Sequence, residues 1–463
     1  MFHFSPAERT RFLAAHRRIG NYRSCLPVQL ACMLMAVLFY PLVAWSGPVL
    51  FDPASYASLA KSNSEGAIKP GTQITLDNWK EYKRYLPLGM QALFGGQYRW
   101  RVDASGDFTI TVGPTIDFSW PRQYLMDTEK HSGQSRLVKA RTGGWAIENY
   151  VAGLPFPMPA EPQLSDKIVY NTRYAPSPAV LWWSWSMLLT DRFLNLRTLS
   201  GTFLSYRLSH LSTPGMPVNP TYGEGYLNSL RVDVTFPEDA KYFTALILQP
   251  DNPEMLSEQY YYIPQLRRSL RSSTAGRCAY QGSSDNLNQF QNIDFANFKT
   301  RLLGEAKVLG LEHLTSDPAV LYDERSLQAR SSVPGWPVPA MGRWELRKMY
   351  IVDSTPLPVL GDFCTSHSVA YIDRDNWTAP VIEDYDADGR LWRVDFNVYM
   401  EVPGPAQQGN YMVFHHQQIL NLKESHAWTL TMTSPPRIDS EAPAEFRNAA
   451  DSALPGSMMS INK

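Results

Sequence analysis

Cysteine is scarce in this 463-residue chain. There are four, and Cys25 and Cys32 fall within the first 46 residues. No two cysteines stand in a CxxC pair, which removes a thioredoxin-like redox site and a zinc knuckle from consideration. Charge is thin as well. Asp, Glu, Lys and Arg make up 19% of residues, below the usual quarter, and no basic stripe dominates, which argues against a nucleic-acid partner. A G-x-S-x-G elbow, a Walker loop, a G-x-G-x-x-G turn and an H-E-x-x-H pair are all missing, so the familiar hydrolase, nucleotide-binding and zincin designs are not indicated. After residue 46 no segment approaches the roughly 18 apolar residues of a membrane-spanning helix.

The chain does have one long uncharged run, Leu26–Trp45, with Arg17, Arg18 and Arg23 before it and Ser46-Gly47-Pro48 after it. A basic n-region, an apolar h-region and small residues at the end read as an export signal. Ala44 and Ser46 occupy the −3 and −1 positions of a cut before Gly47. An uncleaved N-terminal anchor is the other reading, because such a run also suffices to cross a bilayer. Cys32 opens the run instead of closing it and does not suit lipidation. Either way, residues 47–463 are expected in the periplasm. They hold 38 basic and 43 acidic residues, a net charge of −5. Their only cysteines, Cys278 and Cys364, are an even pair in an oxidising compartment, and a disulfide between them is expected. It would close a loop of about 85 residues, worth about 4 kcal/mol in the chain-entropy model. Two buried thiols are the alternative.

Aromatic residues reach 12%, with 24 Tyr and 13 Trp, and Pro numbers 35. This profile is rich in strands and loops. Period-two alternation is cleanest at Trp392, Val394, Phe396, Val398, Met400 and Val402, which interleave with Arg393, Asp395, Asn397, Tyr399 and Glu401. Leu230–Phe236, Phe243–Leu248, Gln259–Ile263 and His426–Met432 read the same way, and Asp103–Gly106 reads as a turn between two strands. Strands of this kind predict a twisted antiparallel sheet with one buried face. Helices are expected from Asp52-Pro53, over Trp79–Leu86, over Phe295–Leu311 with Gly310 as cap, and near Leu181–Leu196. No linker or internal repeat divides the chain. The expected organisation is a presequence over 1–46, one domain over 47–433 and a loop-rich or disordered tail over 434–463.

Several local strings point to a family. Tyr150-Val-Ala-Gly-Leu-Pro-Phe-Pro-Met-Pro159 is followed by Lys167-Ile-Val-Tyr-Asn-Thr-Arg-Tyr174, then Tyr260-Tyr-Tyr-Ile-Pro-Gln-Leu-Arg-Arg268 with Arg271. Trp344–Tyr350 and Asp384-Tyr-Asp-Ala-Asp-Gly-Arg-Leu-Trp392 complete the set. In this order the chain resembles the Gram-negative family called domain of unknown function 1329, often described as outer-membrane lipoprotein-sorting-like. The resemblance spans most of residues 70–400. It implies a fold similar to the lipoprotein carriers LolA and LolB, an incomplete antiparallel barrel around helices with an apolar cavity. It also implies an association with transporters of the resistance-nodulation-division type. The chain departs from the family's second Arg cluster and its following Pro, having Ser269-Leu-Arg-Ser-Ser there.

The resulting expectation is an α+β fold with a large curved, mostly antiparallel sheet, an incomplete barrel, and helices on its concave side. It would bind a lipid or other hydrophobic molecule without enzymatic chemistry or a cofactor, serving transport to or from the outer membrane. The alternatives are a subunit docking on a membrane transporter and an unrecognised hydrolase. Arg267, Arg268 and Arg271 form the densest basic patch and could clamp a lipid phosphate or carboxylate; a solvated strand end is the plainer reading. Tyr260, Tyr262, Trp344 and Tyr350 join them as candidate ligand-binding aromatics, and Trp182, Trp183 and Trp185 could also line a cavity or fill a core. Asp384, Asp386, Asp388 and Asp395 have calcium-loop spacing, but Asp388-Gly389 before an alternating run is foremost a hairpin turn. His415-His416 would point to opposite sides of a strand and are read as surface or edge residues.

Overall fold

The alternating run at Trp392–Val402 forms a strand near the middle of one very wide sheet. The computed structural model describes residues 48–63, 67–95, 109–193, 195–220, 223, 225–272, 295–315, 317–322, 331–332, 336–337, 341–361, 363–444 and 453–462. The uncharged run Leu26–Trp45, the Asp103–Gly106 turn and Cys278 lie outside the described residues. The fold described is that of the unit Pro48–Lys463. Among the described residues no helix is long and apolar enough to cross a membrane.

The main sheet has fourteen strands. They are β1 (Val180–Thr190), β2 (Leu196–Arg207), β3 (Tyr226–Phe236), β4 (Thr244–Pro250), β5 (Glu258–Ile263), β6 (Arg268–Arg271), β7 (Phe298–Leu314), β8 (Gly342–Pro356), β9 (His367–Asp373), β10 (Val381–Tyr385), β11 (Leu391–Pro403), β12 (Asn410–Asn421), β13 (His426–Met432) and β14 (Arg437–Ile438). Their spatial order is β6-β5-β4-β3-β2-β1-β13-β12-β11-β10-β9-β8-β7, with β14 pairing along β1. All the pairings are antiparallel. One meander runs from β1 out to β6. A second begins at the far edge with β7 and returns to β1 through β13. Among the described residues the edges β6 and β7 do not pair with each other, so the sheet is not closed. It is strongly bent. Asn228 of β3 and Ile382 of β10 line the same cavity, although five strands separate them; a flat sheet would hold them about 29 Å apart at about 4.8 Å per strand.

Helices cover both faces of the β7–β11 half. In β9, Val369 and Tyr371 pack in one cluster with Tyr56, Leu59, Met90 and Leu93. The intervening Ala370 and Ile372 pack in another with Ile168, Val169 and Tyr170, as alternation across a strand requires. The first layer holds α1 (Pro53–Asn63), α2 (Trp79–Tyr82) and α3 (Leu88–Phe94). The Asp52 carboxylate accepts from the N–H groups of Ala54 and Ser55 at 3.0 and 3.1 Å, and Pro53 fits the first helical position. After α4 (Arg122–His131), α5 (Leu164–Arg173) forms the second layer. Beyond Ser434 the chain stays tied to the sheet through Ile438, Ala442, Ala453 and Met458, all buried.

Two expected helices are strands. Phe295–Leu311 is a three-residue 3₁₀ turn followed by the 17-residue β7, and Leu181–Leu196 is β1 with the start of β2. Val180–Thr190 is apolar on both faces, and in Phe298–Leu314 the residues Phe298, Leu302, Ala306 and Leu309 also recur at helical spacing, so the pattern fits both periods and cross-strand pairing decides. Gly310 is an ordinary strand residue paired with Glu345. Gly304 has a packing reason: a Cβ there would stand 2.5 Å from the Ala60 Cβ of α1.

The N-terminal helices are also pinned by one buried carboxyl group. Glu383 of β10 accepts from the Tyr56 hydroxyl of α1 at 2.5 Å and from the Gly89 N–H of α3 at 2.6 Å. Burial pushes its pKa up to about 7, against the opposing pull of these hydrogen bonds. The unfolded chain releases this proton near 4.5, the native protein only near 7. The native state therefore binds the extra proton in that window, and stability falls as pH rises through it, by about 1.4 kcal/mol per unit of difference. Urea midpoints measured from pH 4.5 to 7.5 should decline for the parent protein and flatten in Glu383→Gln. In the same assay Gly304→Ala should cost about 1–3 kcal/mol by overpacking, with part of the loss recovered in Gly304→Ala/Ala60→Gly.

Candidate functional site

The bend of the sheet leaves a cavity of about 240 Å³ beside the C-terminal end of α5. Helix α5 is placed by Ile168, Val169 and Tyr170, which dock on Val352, Ala370, Ile372 and Ile382. Its last residue is Arg173, and Pro176 prevents continuation of the helix, so Ala175, Pro176 and Ser177 run along the cavity wall. Trp120, Trp377, Ala379, Ile382, Tyr399 and Met412 supply an apolar and aromatic side. Thr172, Arg173, Ser205, Arg207, Asn228, Asn376 and Asn397 supply a polar one.

Arg207, the last residue of β2, stands where this cavity meets a second space of about 10 Å³ walled by Tyr124, Tyr150, Tyr174, His210 and Tyr411. Its Nε donates to the Ser209 carbonyl at 3.0 Å and its Nη1 to Asn228 Oδ1 at 3.4 Å. The Arg173 Nη2 donates to the Pro250 carbonyl at 2.7 Å. Both guanidinium carbons lie near the Tyr174 ring, at 5.7 Å for Arg173 and 5.6 Å for Arg207, within cation–π range. The Tyr150 ring packs on Tyr174 with centroids 3.8 Å apart.

The charges here do not balance as they do elsewhere. Arg231, Arg347 and Arg393 are buried too, and each meets a carboxylate: Asp233 at 2.9 Å, Asp373 at 2.7 Å and Asp384 at 2.7 Å. Arg207 is 6% exposed, and among the described residues no carboxylate lies within 4 Å of it. Asp251 is engaged instead by His210 at 2.9 Å and Ser209 at 3.2 Å. Burial pushes the Asp251 carboxyl up, but these hydrogen bonds and the nearby His210 and Arg173 outweigh it and hold it below its ordinary value. Burial lowers the pKa of Arg207, outweighing upward pulls from Tyr150, Tyr174 and Asp251, and the like charge of Arg173 adds a smaller lowering.

The residues singled out in the sequence lie elsewhere and do not converge. Arg267, Arg268 and Arg271 are exposed at the β5–β6 edge hairpin, where Arg271 pairs with Glu258 at 3.1 Å and lies over the Tyr260 ring. Tyr262 is buried with Leu246, Leu248 and Met458. Trp344 belongs to the core under α1–α3. Tyr350 comes nearest, stacking at 6.1 Å on Trp377 of the cavity wall. Trp183 and Trp185 fill a separate core, and Trp182 lies beneath Arg437. None of the three lines the cavity. Asp384 binds Arg393 and the Ser368 hydroxyl. Asp386 closes the turn through the N–H groups of Asp388 and Arg390, Asp388 pairs with Arg390 at the surface, and Asp395 is buried in β11. The Asp384–Asp388 segment is therefore a hairpin turn. His415 and His416 are fully buried, not surface residues. A β-bulge in β12 falls between Phe414 and His416, and burial lowers their pKa values to about 3 and about 4, so both are neutral. Among the described residues no three His, Cys, Asp or Glu side chains are grouped to hold a metal ion.

Residues 73–453 match the profile of a family described as a protein of unknown function, DUF1329. The chain belongs to this family. The strings quoted from Tyr150 and Lys167 supply Arg173 to the cavity of this DUF1329 protein and Tyr150 and Tyr174 to the smaller space beside it. Among solved structures it is similar to a proposed outer membrane lipoprotein-sorting domain from Vibrio parahaemolyticus, at 12% identity, covering 64% of this chain and 99% of that one with a TM-score of 0.45. A DUF1329 family protein from Desulfovibrio piger is 14% identical, with 63% and 98% covered and a TM-score of 0.43. A LolA superfamily protein from Nitrosomonas europaea is 12% identical, with 61% and 97% covered and a TM-score of 0.34. No curated protein matches the chain.

Sequence reasoning missed Arg207 and its pairing with Arg173. Arg207 ends an aromatic-rich alternating stretch, Phe203-Leu-Ser-Tyr-Arg207, and assigning the preceding segment to a helix concealed that strand. The geometry predicts unequal costs for two similar substitutions. Asp251→Asn removes the carboxylate that both His210 and the buried arginines feel, and should lower the unfolding free energy by about 1–2 kcal/mol. Asp388→Asn at the exposed turn should change it by less than about 0.5 kcal/mol. Denaturant titration of the two variants checks this.

Proposed function

We propose that this DUF1329 protein is an exported, non-enzymatic binding protein that holds a small amphiphile in the bend of its sheet and carries it between membranes. The observation that supports this is the cavity itself, with aromatic and apolar residues on one side and amides, hydroxyls and two arginines on the other. Its volume of about 240 Å³ sits just below the range of about 300–1,000 Å³ usual for ligand sites, and the hollow is smaller and more polar than an acyl-chain reservoir would be. It suits a single short chain.

The energetics fit a carrier that must also release. Burying eight methylene groups yields about 6 kcal/mol at about 0.8 kcal/mol each, before the cost of immobilising the ligand. A periplasmic location accords with the basic and apolar character of the segment before Gly47.

Native mass spectrometry and solvent extraction of the purified protein test the reading. The parent protein should release a co-purifying amphiphile. Ser205→Phe, which puts a ring into the cavity from β2, should reduce its occupancy at least tenfold while the protein stays folded. A parent protein that carries nothing and binds no added amphiphile would leave docking on a membrane transporter as the better reading.

A further inference from the structure

The charge accounting around Arg207 says what kind of molecule the cavity takes. A guanidinium group removed from water costs several kcal/mol unless an anion compensates it, and three other buried arginines of this chain obtain that anion from Asp233, Asp373 and Asp384. Arg207 is given only neutral acceptors, the Ser209 carbonyl and the Asn228 amide oxygen. Among the described residues its Nη2 donates to nothing. Arg173 stands by the same Tyr174 ring and adds a like charge. Of the other charged groups on this wall, Asp251 is tied to His210 and Ser209. Both arginines line the cavity, so an anion entering it reaches a site whose donors are already in place.

We infer that the ligand is anionic: Arg207, with Arg173 beside it, receives a carboxylate or phosphate group, and the Trp377–Tyr399 side receives whatever apolar part is attached. Planar guanidinium donors suit either group in a bidentate arrangement. The inference rests on the carrier reading for the apolar part alone. A free anion such as inorganic phosphate shares the chemistry of the charged end and is distinguished by experiment.

Calorimetric titration of the full-length protein with octanoate, octyl phosphate, 1-octanol, acetate and inorganic phosphate at pH 7 tests it. Octanoate and octyl phosphate should bind at least tenfold more tightly than 1-octanol, and Arg207→Gln should bring that ratio close to one. Arg207→Lys should keep part of the preference. Acetate or phosphate binding as tightly as the tailed probes would make the ligand a free anion, overturning the carrier reading and leaving the anion site. Octanol binding as tightly as octanoate would overturn the anion site and leave the carrier. Binding of none of the probes would overturn both. Should Arg207→Gln fail to fold, Asn228→Asp supplies the answer from the other side. It places a carboxylate beside the Arg207 Nη1, and should raise the melting temperature and abolish the preference. An unchanged preference in Asn228→Asp would contradict the inference.

Discussion

The docking of α5 into the bend of the sheet is the constraint on which the rest of the molecule depends. A sheet this wide cannot stay flat in water, because both of its faces carry apolar side chains that need cover. Ile168, Val169 and Tyr170 supply that cover for β8–β10 on one face, while Tyr56, Met90 and Leu93 supply it on the other. With β7–β11 filled from both sides, the remaining strands curl toward α5 and meet its C-terminal end, where Pro176 forces the backbone away. The gap left there is the cavity. Its position follows from the length of one ten-residue helix.

The same docking fixes the electrostatics. Arg173 is the last residue of α5, where a cation is favoured by the helix dipole, and it cannot leave without undocking the helix. Arg207 is held at the end of β2 by backbone pairing with Asn228. The chain resolves the buried Arg231, Arg347 and Arg393 internally, as with Arg347 between Asp373, Glu345 and Asp375. Around Arg207 it places tyrosine rings and amides instead. An unresolved charge in a walled cavity is an arrangement for binding, since a well-packed apolar replacement would be cheaper for stability alone.

How much of this was legible in sequence depends on how unequal the two faces of each strand are. Trp392–Val402 and Leu230–Phe236 alternate because each has an apolar side chain every second residue with charged or polar ones between, and both are strands. Val180–Thr190 carries apolar residues on both faces, and Phe298, Leu302, Ala306 and Leu309 fall at helical as well as strand positions, so a period of 3.6 fitted both segments as well as a period of two, and only pairing partners elsewhere in the chain decide. The open antiparallel sheet and the family were readable from local strings. The site was not. Arg267, Arg268 and Arg271 attracted notice as charges dense along the chain, and such charges stay in solvent. Arg173 and Arg207, 34 positions apart, meet only through the fold. Their solitary placement in apolar and aromatic stretches was the signal available, and it does not by itself say that the two meet.

An experimental structure of the protein as purified, with nothing added, tests the central claim most directly. The account predicts continuous elongated density running from Arg207 past Trp377 and Tyr399, with a charged end at the guanidinium. Isolated water peaks bridging Asn228, Asn397 and Arg207, in a cavity otherwise closed by its own side chains, would contradict it.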